Sequence, residues 1–204
     1  MEVNKLRGDI MESNKITLKD LIMTGVFSSL YFILSWIVGM PLGALVVTYL
    51  AYPFCYAIVG GIVTMFFMAK CPKKWLTFIF TMLPSIILLI MGMPPITIIN
   101  YLICSLLAEL VRWKVGFKSI KGMKLSHICI SLASMNTFLL IFLAKDIYYK
   151  MTVGVMGETY ANAITSLPLW SLFILYASVI IGAIIGGQIG AKVLSKHFKK
   201  FGID

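Results

Sequence analysis

The feature that most constrains this chain is the absence of charge over long stretches. Residues 21–69 contain no Asp, Glu, Lys or Arg, and the same holds for 75–108, 125–144 and 159–191. A helix needs roughly 20 apolar residues to cross the hydrocarbon of a bilayer, and soluble domains rarely carry uncharged runs of that length. The composition agrees, with 60% of the 204 residues hydrophobic and 13% charged. These runs predict an all-α, polytopic membrane protein.

Two of the runs are too long for one crossing, and each holds a breaker. Gly39-Met40-Pro41-Leu42-Gly43 interrupts the first and Gly92-Met93-Pro94-Pro95 the second. Gly and Pro end helices where the backbone can meet water. The spans then read as helices near 20–38, 44–69, 75–91, 96–112, 125–145 and 167–192. They form a single six-helix transmembrane domain over 19–204, preceded by a polar segment, 1–18. Pro53 and Pro84 fall inside predicted helices, where kinks are expected.

Lys and Arg partition between the two sides of this map sixteen to two, with only Lys145 and Lys150 on the poorer side. Cytoplasmic loops carry the excess, so both termini are predicted to be cytoplasmic. The net charge of +10 follows from this topology and from attraction to anionic headgroups, and no nucleic-acid partner is needed to explain it. Trp75 and Trp113 fall at the cytoplasmic boundary and Trp36 and Trp170 at the outer one, as interfacial aromatics do. Residues 1–18 are too polar for a signal-peptide core, and no small-residue cleavage site follows the first span, which is expected to stay attached.

Ionisable groups inside a bilayer are costly and mark chemistry when present. Glu109 is the one carboxylate within a predicted helix, and Arg112 lies three residues on, at a spacing that allows an ion pair on one face. His127 stands alone near the start of the fifth helix and reads as an interfacial residue. Cys55, Cys71, Cys104 and Cys129 show neither disulfide nor zinc-site spacing and read as core. No constellation of nucleophile and base, carboxylate pair, metal cluster or phosphate-binding loop is signalled, so an enzyme, an ion antiporter and an unaided ATPase are not indicated.

Two ladders of small residues recur every four positions, a spacing that lets helix backbones approach closely in lipid. Ser178, Gly182, Gly186 and Gly190 form one in the last helix. Thr24 with Ser28, and Gly25 with Ser29, form a smaller patch in the first. Either ladder could pack within the chain or meet a partner. At the outer ends of the helices Trp36, Tyr49, Tyr52, Asn100, Tyr101, Asn162 and Trp170 supply aromatic faces and amides that could converge on a pocket. The long outer segment 145–166, with Tyr148, Thr152 and Tyr160, could cover it as a lid.

The segment Ile16-Thr17-Leu18-Lys19-Asp20-Leu21-Ile22, followed by Gly25-Val26-Phe27-Ser28-Ser29-Leu30-Tyr31-Phe32, resembles the start of the Trep_Strep group of bacterial integral membrane proteins. The likeness continues through Gly92-Met93-Pro94-Pro95, Leu106-Leu107-Ala108-Glu109-Leu110 and Leu167-Pro168-Leu169-Trp170. That group is classed with the S components of energy-coupling factor (ECF) transporters. The resemblance implies a six-helix, N-in/C-in bundle in the bacterial plasma membrane that captures a small nutrient outside and is not itself an enzyme. It also implies a transmembrane coupling subunit and two ABC-type ATPases as partners. Carried onto this sequence, Trp36, Tyr49, Asn100, Tyr101, Asn162 and Trp170 are the expected solute contacts. Thr24, Gly25, Ser28 and Ser29 are the expected docking patch, where such proteins carry an Ala-x-x-x-Ala-like pair. The alternatives from other classes are a membrane scaffold that uses the glycine ladder as its interaction surface, and a facilitator channel.

Overall fold

The structure is a computed structural model and describes residues 15–195. Most of the polar leader 1–18 and the basic C-terminal tail therefore lie outside the described residues. Ten α-helices are described, with no strand among the described residues: α1 (Leu18–Gly43), α2 (Val46–Tyr49), α3 (Tyr52–Lys70), α4 (Leu76–Ile90), α5 (Thr97–Val115), α6 (Ile120–Leu132), α7 (Asn136–Leu143), α8 (Lys145–Met156), α9 (Glu158–Thr165) and α10 (Trp170–Ser195). A 3-10 turn, Ala133–Met135, joins α6 to α7. Among the described residues four segments are long and apolar enough to cross a membrane: Leu18–Gly43, Tyr52–Lys70, Ile120–Leu143 and Trp170–Ser195. Helix α4, at 15 residues, is about 22 Å long at 1.5 Å per residue and falls short of a full crossing.

The helix limits differ from the sequence expectation where proline chemistry decides them. Helix α1 does not stop at Gly39 but runs on through Pro41 to Gly43, and Thr48 Oγ donates to Leu42 O at 2.7 Å, serving a last-turn carbonyl. Pro53 does not kink a long second helix; it lies in the first turn of α3, where its missing N–H costs nothing. The segment 145–166 is a pair of helices rather than a loop. Its reversal is made at Gly157, whose φ of +84° suits a residue without a side chain.

The charged group expected to pair internally does something else. Glu109 does not face Arg112. Its carboxylate accepts from the Trp75 N–H at 2.6 Å and the Phe78 N–H at 3.2 Å, capping the N-terminus of α4. Arg112 Nη2 donates to Met68 O at 3.1 Å, in the last turn of α3. That carbonyl has no helical donor because residue 72, four positions on, is Pro. One turn of α5 thus places an anion on the positive end of one helix and a cation on the negative end of another, clamping the α3–α4 turn. A second tie crosses the same end, where Lys73 pairs with Asp20 at 2.7 Å. Asp20 and Thr17 also close a capping box on α1.

Helices α3 and α10 approach backbone to backbone. A Cβ built on Gly186 would lie 2.3 Å from Ala57 O, one on Gly61 2.3 Å from the Gly186 backbone, and one on Gly182 2.6 Å from Phe54 O. The ladder of the last helix is consumed by intrachain packing. His127, read from sequence as interfacial, is fully buried beside this seam. Its Nε2 lies 3.0 Å from Ala57 O and its Nδ1 2.8 Å from Thr64 Oγ. A neutral ring donating to the carbonyl and accepting from the hydroxyl satisfies both contacts.

Pro84 sits within α4 and leaves the Phe80 carbonyl without its helical donor. Ser28 of α1 supplies one, at 2.9 Å. Two outcomes follow for stability in detergent. Ser28→Ala should cost about 1–2 kcal/mol by stranding that carbonyl, seen as a melting point several degrees lower, and the loss should shrink in a Pro84→Ala background. Gly186→Ala should cost about 1–3 kcal/mol through overpacking, whereas Gly25→Ala, where a Cβ meets nothing within 4 Å, should be neutral or slightly stabilising.

Candidate functional site

The end of the bundle remote from Lys73, Trp75 and Arg112 holds a cavity of about 570 Å³. One wall is aromatic by design of the register. Tyr49, Tyr52 and Tyr56 rise along α2 and the start of α3 at helical spacing, and their rings stack nearly parallel, with centroids 5.9 and 5.6 Å apart and planes 13° and 10° off. Tyr31 of α1 continues the column, 4.8 Å from Tyr56 and 5.3 Å from Phe80. Helix α1 adds Ser35, Trp36 and Met40 to the lining, and α5 adds Tyr101. The α8–α9 hairpin covers the space with Tyr148, Met151, Thr152, Met156 and Tyr160.

The 3-10 turn between α6 and α7 brings in Ser134, Asn136 and Thr137. Asn100 of α5 holds that turn, donating from Nδ2 to Ala133 O at 3.2 Å. No Asp, Glu, Lys, Arg or His is among the lining residues. Burial pushes the phenol of Tyr148, in the cover, up to about 12, so it stays protonated and neutral. On the far side from the cover Met65, Phe67, Met68, Phe80 and Met123 are all fully buried.

Of the six expected solute contacts, the structure brings Trp36, Tyr49 and Tyr101 together on the cavity. Asn100 stands behind it with its amide committed to the backbone. Asn162 and Trp170 are exposed, the latter at 62%, and neither lines the cavity. The expected docking patch also divides. Thr24 and Ser28 are buried and donate to Asp20 O and Phe80 O, so they face inward. Ser29 is exposed and Gly25 partly so, on the outer face of α1. Sequence reasoning passed over Tyr31 and Asn136. Asn136 had a signal, since it is the one amide in the uncharged run 125–144, and an amide at that depth requires a partner. Among the described residues no three His, Cys, Asp or Glu side chains gather into a metal-binding group.

Comparison with known proteins agrees with this architecture. A solved structure, described as an S-component of an ECF transporter, superposes with a TM-score of 0.54 at 18% identity, covering 91% of this chain and 87% of that one. At this identity the likeness shows the fold. No curated protein matches the chain. Residues 18–200 match the family described as hypothetical bacterial integral membrane protein (Trep_Strep), so this chain, an all-helical bundle of S-component fold, belongs to the Trep_Strep family.

Proposed function

We propose that this chain is the solute-binding membrane subunit of an ECF-type importer, taking up a small nutrient from the outer side. The observation that carries the reading is the cavity: covered by the α8–α9 hairpin, walled by stacked aromatics and located at the end opposite the basic residues. Large concave, mostly apolar spaces with a few polar groups are where small molecules bind. In this reading the bundle crosses the membrane six times with both termini in the cytoplasm, and the cavity opens outward when the hairpin moves. The chain carries no ATP-binding loop, so energy comes from two ABC-type ATPases through a transmembrane coupling subunit. That subunit docks on the outward face of α1 at Gly25 and Ser29.

The scaffold reading loses its main support, because Gly182, Gly186 and Gly190 are buried against α3 and offer no surface. The facilitator reading requires a path through the bundle, and the buried methionines and phenylalanines beneath the cavity fill it. Gly25→Leu with Ser29→Leu tests the docking assignment. Co-expressed with the coupling subunit and ATPases, the double variant should no longer co-purify with them and should lose uptake, while its melting point and its solute content stay at the wild-type level. Wild-type recovery of the complex by this variant would refute the docking face, and uptake by proteoliposomes holding this chain alone would favour a facilitator.

A further inference from the structure

The lining of the cavity restricts the chemistry of what it holds, and the restriction can be read atom by atom. Four hydroxyls that line it have already donated their protons to their own helices: Ser35 to Phe32 O at 2.6 Å, Thr81 to Thr77 O at 2.9 Å, Ser134 to Ser131 O at 2.7 Å and Thr152 to Tyr148 O at 2.8 Å. What each retains for a guest is lone pairs, so these positions accept. Other lining residues carry the opposite capacity, Tyr31 and Asn136 the most deeply buried of them. Asn136 Nδ2 is buried and has no hydrogen-bond partner, a condition that remains unfavourable until a guest accepts from it. Tyr31 Oη, with only the Tyr56 and Ser131 side chains near it, makes no hydrogen bond of ordinary geometry.

Charge is the second restriction. No ionised side chain lines the space, and a charged guest would surrender its hydration without a counter-ion to replace it. Size is the third. The rings of Tyr49, Tyr52 and Tyr56 stack on one another, with Phe138 beyond Tyr49 and Tyr31 beyond Tyr56, and a volume of about 570 Å³ lies in the ordinary range of small-molecule sites.

We infer that the cavity selects an uncharged solute that presents a carbonyl-type acceptor to Asn136 and Tyr31 and N–H or O–H donors to the ring of hydroxyl oxygens. This inference rests on the solute-binding reading and narrows it to one ligand class. Recognition of this kind discriminates strongly, because a guest lacking the acceptor leaves both buried donors unmet.

The test uses a small-molecule extract of rich growth medium, separated on mixed anion- and cation-exchange resin into an unretained, neutral fraction and a salt-eluted, charged fraction. Each is incubated with the detergent-purified protein, and melting point and retained compounds are measured. The neutral fraction should raise the melting point and leave one neutral compound bound. Tyr31→Phe, which removes a single oxygen, and Asn136→Leu should each retain it roughly tenfold less tightly, the loss expected for one buried hydrogen bond. Tyr31→Phe keeps the test decisive should Asn136→Leu fail to fold. A compound retained from the charged fraction, a neutral compound without a hydrogen-bond acceptor, or unchanged affinity in a folded Tyr31→Phe overturns the inference while leaving solute binding in place. Retention from neither fraction overturns the solute-binding reading and the inference with it.

Discussion

The contact on which the rest of the bundle depends is Gly61 against Gly186, where two helix backbones meet with no side chain between them. In lipid, apolar side chains gain little by leaving their surroundings, so helices associate through close packing and internal hydrogen bonds. Gly182, Gly186 and Gly190 bring α10 against α3 over Phe54, Ala57 and Gly61. Ala57 is fully buried in this seam, and its carbonyl also receives His127 from α6. Three helices are therefore fixed around one turn of α3, and the register of that helix is fixed with them.

That register carries the cavity. Once α3 is seated, Tyr52 and Tyr56 must point toward α1, and Tyr31 fits only because Gly60 leaves room, a Cβ there lying 2.8 Å from its ring. The proline breaks then work as a set of matched vacancies. Pro84 frees the Phe80 carbonyl for Ser28, Pro72 frees the Met68 carbonyl for Arg112, and Pro53 opens α3 without loss. Each unsatisfied carbonyl in the apolar interior would otherwise cost as much as a lost hydrogen bond. The same bonds that hold the bundle together at the basic end leave its other end free to widen around an open space.

The uncharged runs were enough to give an all-helical membrane protein, and the distribution of Lys and Arg to mark its basic end, because both report on the solvent and not on partners within the fold. The identity of partners was harder to read. Glu109 and Arg112 have a spacing that suggests a mutual ion pair, yet helix ends from elsewhere in the chain compete for both and win. Trp36, Tyr49 and Tyr101 line the cavity, whereas Asn162 and Trp170 are exposed and do not. Position along a helix follows from sequence; the angle around it depends on packing that nearly uniform apolar helices do not encode. Asn136 was legible as an isolated amide, and its place on the cavity depends on a 3-10 turn that no local signal announces.

Native mass spectrometry of the protein purified from cells grown on rich medium, compared with a Ser134→Trp variant that fills the cavity, asks the decisive question of whether this space holds a solute. A solute-binding subunit should carry a single adduct of small-molecule mass at one per chain, and the filled variant should fly bare. A bare wild-type chain, or an adduct that persists unchanged when Ser134 is replaced by Trp, would contradict the assignment of this cavity as the binding site.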